Sequence, residues 1–245
     1  MDILSHTFSG IAAVTVALPF TDFTSKQKFY ALALGAFVGA FPDLDAISLW
    51  SGFGKKGEEI YFGKEWFSHH AINHSLFMGI LLVATIQFFR TKKYTQFGKS
   101  EIYLSIALFT GFVVHLLEDM PTPHCTWGGV RFFYPFQSYA GGSGKIWWWN
   151  NYDLFLLIIC TSVTNIIAYW LIKKDVKMVV LLNTLCFIFV FFYQINNRKY
   201  NYNYIGFSTN YTTLESNSLE EQKNILGDDI YQIMYNLDKK IPLNF

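Results

Sequence analysis

Residues 154–172 (LFLLIICTSVTNIIAYWLI) and 178–195 (MVVLLNTLCFIFVFFYQI) carry no charged side chain, and only the basic link KKDVK separates them. Each is close to the roughly 20 apolar residues that a helix needs to cross a bilayer. Helices apolar on every face have no side to turn toward water. In hydrocarbon a helix satisfies its backbone polar groups internally, so the pair reads as a membrane-spanning hairpin. Four earlier runs, at 7–20, 29–42, 75–89 and 102–117, are shorter or less pure, and such lengths also suit buried helices of a soluble protein. The last two spans decide the class: an all-α, multi-pass membrane helical bundle of about six apolar helices.

Acidic and imidazole residues sit at the ends of these runs. His6 opens the first, Asp43 and Asp45 close the second, His69 and His74 open the third, and His115 with Asp119 closes the fourth. If the runs alternate up and down, every one of these groups arrives at one membrane face. Neutral imidazoles and carboxylates gathered in this way suit a metal ion. A span that ends in a ligand gives up apolar residues there, which accounts for the shortness of the first four runs.

No single cluster carries that inference. His115 and Asp119 are four apart, so they share a helix face and supply two ligands, or one ligand and its carboxylate partner. A helix-end histidine held by a local carboxylate has the same spacing. Asp43 and Asp45 flank Leu44 after Pro42, where they bridge a metal or cap a following helix. Near a membrane boundary two unpaired carboxylates are costly, which favours a cation. His69 and His74 are five apart with His70 between, so a loop delivers one and a helix start the other. Asn73 or Ser75 is placed to cap the helix beginning at Leu76. His6 counts only because it falls on the same side as the rest.

The chain is 245 residues long, enough for one good-sized domain with an appendage. Charged residues make up 15%, against about 25% in soluble domains. A net charge of +1 without a basic stripe gives no reason to expect nucleic acid. Cys125, Cys160 and Cys186 are far apart, which excludes a disulfide framework and a thiolate zinc site. The first run lacks a basic leader and ends at Pro19-Phe20, so it reads as a retained helix. We divide the chain into a membrane-embedded domain, 1–195, and a polar tail, 196–245. In the tail Ile225, Leu226, Ile230, Ile233, Met234 and Leu237 recur at helical spacing, which predicts one amphipathic helix, with plain packing as its simplest use.

Basic residues orient the bundle. The short connections hold Lys26, Lys28, Arg90, Lys92, Lys93, Lys99, Lys173, Lys174 and Lys177, against Lys55, Lys56, Lys64, Arg131 and Lys145 in the longer loops opposite. The first set is expected in the cytoplasm and the His/Asp face outside it, although Arg198 and Lys199 follow the last span on the outer side. The long loop before Asp153 is too aromatic for disorder. Trp147, Trp148 and Trp149 fit an interfacial belt or the wall of a cleft, and Arg131 and Lys145 are candidates to hold an anionic group.

The pattern His6-x-x-x-Gly10, Pro42-Asp43-x-Asp45, His69 through His74-Ser75, and His115-Leu-Leu-x-Asp119-x-x-Thr122 resembles the YdjM-like family of membrane-bound metal-dependent hydrolases. The resemblance runs from about residue 1 to about residue 172 and includes Tyr134-Pro135-Phe136, where the family often has Trp-Pro-Phe. A looser likeness connects these motifs to zinc-dependent phospholipase C enzymes. The resemblance implies that His6, Asp43, His69, His74, His115 and Asp119 are metal ligands and that Asp45 is a ligand or supports one. Where the family usually reads His-Arg-Gly-x-Thr-His-Ser, this chain has His69-His70-Ala71-Ile72-Asn73-His74-Ser75. His70 cannot make the bidentate phosphate contact of the arginine it replaces.

The expectation is therefore a hydrolase at the cell membrane, holding one or two divalent ions, most simply Zn2+, and acting on a phosphoester or lipid-like ester. Asp119, Asp45 or Asp43 is expected to serve as the general base. His70 or Arg131 is expected to stabilise developing negative charge. Rival readings are a non-catalytic metal-binding membrane protein (carrier, sensor or structural clamp), a haem protein, which the nearby carboxylates disfavour, and a structural protein without metal.

Overall fold

The structure, a computed structural model, describes residues 1–46, 70–94, 98–124, 129–172, 174–204 and 211–240. His69, expected as a ligand, lies outside the described residues, as do Lys55, Lys56, Lys64, Cys125 and Lys173. Among the described residues eight α-helices form and no β-strand does: α1 (Ile3–Ala17), α2 (Ser25–Ala40), α3 (Leu76–Tyr94), α4 (Lys99–Asp119), α5 (Tyr152–Leu171), α6 (Val176–Asn197), α7 (Tyr211–Leu226) and α8 (Asp228–Lys240).

Local chemistry sets the ends that matter. Asp2 caps α1 by accepting from the Ser5 amide at 2.8 Å. Thr24 and Gln27 form a reciprocal capping box at the start of α2. Pro42 ends α2, because proline has no N–H to continue the helical hydrogen bonds and its ring crowds the preceding turn. A 3-10 turn, Pro42–Ala46, follows and carries Asp43 and Asp45. Ser75 begins α3, its Oγ accepting from the Met78 amide at 3.2 Å as the cap expectation required. Helix α4 stops at Asp119, whose carbonyl accepts from the Thr122 amide at 3.0 Å and the Thr122 hydroxyl at 2.6 Å.

Helix α1 is the hub, packed against α2, α4 and α5. Its contact with α2 is backbone to backbone. A Cβ on Gly10 would lie 2.1 Å from the Gly35 carbonyl oxygen, and one on Gly39 would lie 2.2 Å from the His6 carbonyl oxygen. Gly35 and Gly39 form the small-xxx-small spacing that lets membrane helices approach closely. Val14, Ala31, Val38, Leu104, Leu108, Phe112 and Leu116 fill the core beside this contact.

Four segments among the described residues are long and apolar enough to cross a membrane: Ile3–Phe20, Lys99–Asp119, Tyr152–Leu171 and Val176–Asn197. The six apolar runs lie in α1 to α6, but six spanning helices are not confirmed among the described residues. Helix α2 has 16 residues, about 24 Å against a hydrocarbon core of about 30 Å, and α3 runs into Arg90 and Lys92. Helix α6 buries only Val180 and exposes Leu185, Phe189 and Phe192, an outside suited to lipid. Polar groups tie it down: Asn165 donates to Thr184 at 3.0 Å and to Thr15 at 3.1 Å, linking α5 to α6 and α1.

The tail forms two helices rather than the single one expected, because Gly227 breaks it in the left-handed region at φ 77°. Gln222 of α7 accepts from the Tyr152 amide at 2.7 Å and so covers the start of α5. Met234 of α8 packs into a cluster with Tyr152 and Phe155. Trp147 and Trp148 are each 2% exposed and belong to the interior, not to an interfacial belt. The reason is local: Trp147 Nε1 donates to the Glu118 carbonyl at 3.0 Å, and Trp148 packs against Tyr202 and Tyr204.

Candidate metal centre

The start of α1, the turn after α2, the approach to α3 and the end of α4 converge. They bring His6, Asp43, Asp45, His70, His74, His115 and Asp119 together in one buried cluster. The alternation of the runs thus brings these described His and Asp side chains to one end of the bundle.

The four imidazoles follow one rule. His6 Nδ1 donates to Glu118 Oε2 at 2.8 Å, His74 Nδ1 to Asp45 Oδ2 at 3.0 Å, His115 Nδ1 to the Gly39 carbonyl at 2.7 Å and His70 Nδ1 to the Gly129 carbonyl at 3.2 Å. A carboxylate or carbonyl oxygen accepts, so each Nδ1 carries a proton and each Nε2 faces inward, that of His6 lying beside the Met1 carbonyl at 3.2 Å as well as Asp119. His115 Nε2 is 3.1 Å and His74 Nε2 3.5 Å from Asp119 Oδ2, and His6 Nε2 is 3.1 Å from Asp119 Oδ1. His70 Nε2 stands 3.6 Å from Asp119 Oδ2. His74 and His115 Nε2 each lie 3.7 Å from Asp43 Oδ1, and they are 3.2 Å from one another. Two groups that could hold a metal ion result, sharing Asp119: His6, Asp43, His115 and Asp119, and His70, His74 and Asp119, with one ligand-type atom from each residue of a group within 4.8 Å of the others.

The donor set fits a divalent ion. Asp43 Oδ2 and Asp119 Oδ2 are buried without a hydrogen-bond donor, which a carboxylate does not tolerate cheaply. A metal-bound histidine typically donates its other ring N–H to an oxygen, as all four do here. The rings of His6 and His115 stack at 3.6 Å, an inexpensive contact for the neutral imidazoles that metal ligands must be. The Met1 ammonium is buried with the cluster and pairs with Asp119.

Burial opposes a charge on His74, but Asp45, Asp119 and Asp43 outweigh it and hold that imidazole well above the usual histidine range. Burial likewise opposes ionisation of Asp43. His115 and His6 overcome it and hold the carboxyl below the ordinary range. In the absence of a metal the cluster therefore keeps a proton on His74.

The structure assigns positions that spacing left open. Asp45 is the partner of His74 and is held against its Nδ1. His70 joins the second ligand group from a left-handed backbone at φ 66°, a strained conformation for histidine. Arg131 lies outside the cluster's contacts described above: its Nε donates to the Phe136 carbonyl at 3.3 Å and its guanidinium covers the Tyr134 ring. Glu118 was not anticipated from the sequence. It accepts from His6 on one oxygen and from the Ser9 hydroxyl on the other, at 2.5 Å.

No curated protein matches the chain, and no solved structure does. A family model described as YdjM inner membrane protein matches residues 1–200, a stretch that contains every residue of this cluster. The chain belongs to the YdjM inner membrane protein family.

Proposed function

We propose that the protein is a membrane-bound, metal-dependent hydrolase that cleaves a phosphoester or lipid-like ester at one face of the bilayer. The observation that carries this reading is the common orientation of four histidines, each Nδ1 tied to an outward oxygen and each Nε2 turned toward Asp119, with those of His6, His74 and His115 also near Asp43. Imidazole and carboxylate donors suit zinc, and two ligand groups sharing Asp119 leave room for one ion or two. When bound there, such an ion acts as a Lewis acid and lowers the pKa of a water toward neutrality.

This chain's own residues then have distinct tasks. Glu118, Asp45 and the Gly39 carbonyl orient the imidazoles of His6, His74 and His115. Asp43 and Asp119 bind the ion, and their partnerless oxygens are the candidates to take a proton from water. Asp45 acts through His74, and His70 joins the ligands. In the His69–Ser75 segment His70 stands where the family usually has an arginine, so the leaving group is defined less closely than the metal centre.

The described basic residues of the short connections fall at the opposite end of the bundle, with Lys28 over Tyr169 and Lys177 over Phe20. By the positive-inside tendency that end is cytoplasmic and the metal centre extracytoplasmic. The near-complete burial of His6, His74, His115 and Asp119 also suits a closed, non-catalytic metal site, the second reading. The test is a panel of lipid and soluble phosphoesters and carboxylic esters, assayed with the metal-loaded protein and its His74→Ala variant. Hydrolysis by the wild type alone supports the enzyme. Tightly bound metal with no hydrolysis supports the second reading.

A further inference from the structure

Helix α6 packs chiefly on α5 and leaves an apolar groove between itself, α1, α4 and α5, with a volume of about 860 Å³. That volume lies in the range of small-molecule sites. Ala12 and Val16 line it from α1, Ile106, Thr110 and Val114 from α4, and Ile188 from α6. On α4 the lining runs from Tyr103 to Glu118, about 22 Å of helix axis. One leaflet supplies only about 15 Å of hydrocarbon, half of a core of about 30 Å.

The groove has a polar end. Glu118, Ser9 and Trp147 close it, and Glu118 is the carboxylate that accepts from His6 Nδ1. An apolar channel among membrane-spanning helices thus terminates one hydrogen bond from a residue of the metal centre. A transmembrane helix of another protein has no reason to stop at Glu118. An amphiphile does, because its head group finds the buried polar cluster where its chain ends.

We propose that this groove seats a long hydrocarbon chain of the lipid on which the metal centre acts, with the head group at the Glu118 end. The proposal rests on the hydrolase reading and narrows its substrate class to long-chain lipids. The test uses the full chain in vesicles containing a phospholipid with a diazirine in a long acyl chain, cross-linked and mapped by mass spectrometry. Label is expected on Val16 and Thr110 and depleted in Thr110→Trp, whose indole fills the groove. Bound metal in that variant reports its folding, and Ile188→Trp on the opposite wall replaces it if metal is lost.

In parallel, the ratio of turnover on long-chain to short-chain esters of one head group falls about tenfold or more in the tryptophan variant. Label spread over the outward face of α6, or replaced by cross-links between two copies of the chain, overturns the proposal. So does a labelled groove with an unchanged chain-length ratio, which makes the lipid a bystander. A metal-loaded wild type that cleaves neither ester removes the hydrolase reading itself, and the substrate role falls with it.

Discussion

Asp43 Oδ2 and Asp119 Oδ2 are buried with no hydrogen-bond partner, among imidazoles whose Nδ1 protons are committed to outward oxygens. A buried carboxylate oxygen left this way is costly unless a cation meets it. The residues that hold the imidazoles should therefore matter in graded fashion. Asp45→Asn and Glu118→Gln keep an acceptor but lose the charge, and each is expected to weaken metal binding roughly 10–100-fold. His74→Ala is expected to weaken it further, which calorimetric titration with zinc will rank. Wild-type affinity in both amide variants would contradict the orienting role. The described His and Asp residues of the cluster were legible as a group because they stand at the ends of apolar runs. Glu118 was not: its partner lies 112 positions away, and an acid beside Asp119 at a helix end reads as solvated charge.

Among the elements, the contact of α1 with α2 holds the centre in register. Gly39 sits under the His6 backbone, and its carbonyl fixes His115, so one residue joins three elements. Gly39→Ala would put its Cβ against rigid backbone and separate the helices. We expect it to cost on the order of 2–3 kcal/mol and to reduce bound metal. Ser75→Ala, which removes the cap on the Met78 amide and the hydroxyl's bond to the Ile72 carbonyl, is expected to cost about 1–2 kcal/mol. Thermal unfolding with metal analysis of both variants checks the pair. A Gly39→Ala protein with wild-type stability and metal content would exclude the close-packing account. The helices themselves were readable from their apolar runs. The interhelical glycines were not singled out for packing, because a glycine in a helix announces close approach only when its neighbour is known. The break at Gly227 was missed since the apolar stripe of the tail continues across it.

At the scale of the molecule, a bundle with lipid-suited sides carries its polar chemistry at one end and its short basic connections at the other. Cysteines introduced singly at Leu44 and Lys177 should therefore react with an impermeant thiol reagent from opposite sides of the membrane. Labelling from the same side would refute the topology. Acidity acts on the centre in a fixed direction. The proton that the neighbouring carboxylates keep on His74 must leave when the ion enters, so falling pH strengthens the competitor and weakens metal binding. Retained metal should decline steadily on dialysis from about pH 8 to about pH 5. The central claim is that the His/Asp cluster holds a metal. Elemental analysis of gently purified wild-type protein beside His74→Ala and Asp119→Ala tests it most directly. The account predicts bound divalent metal in the wild type and its loss in both variants with helical content intact. Negligible metal in the wild type, or equal metal in all three, would contradict it.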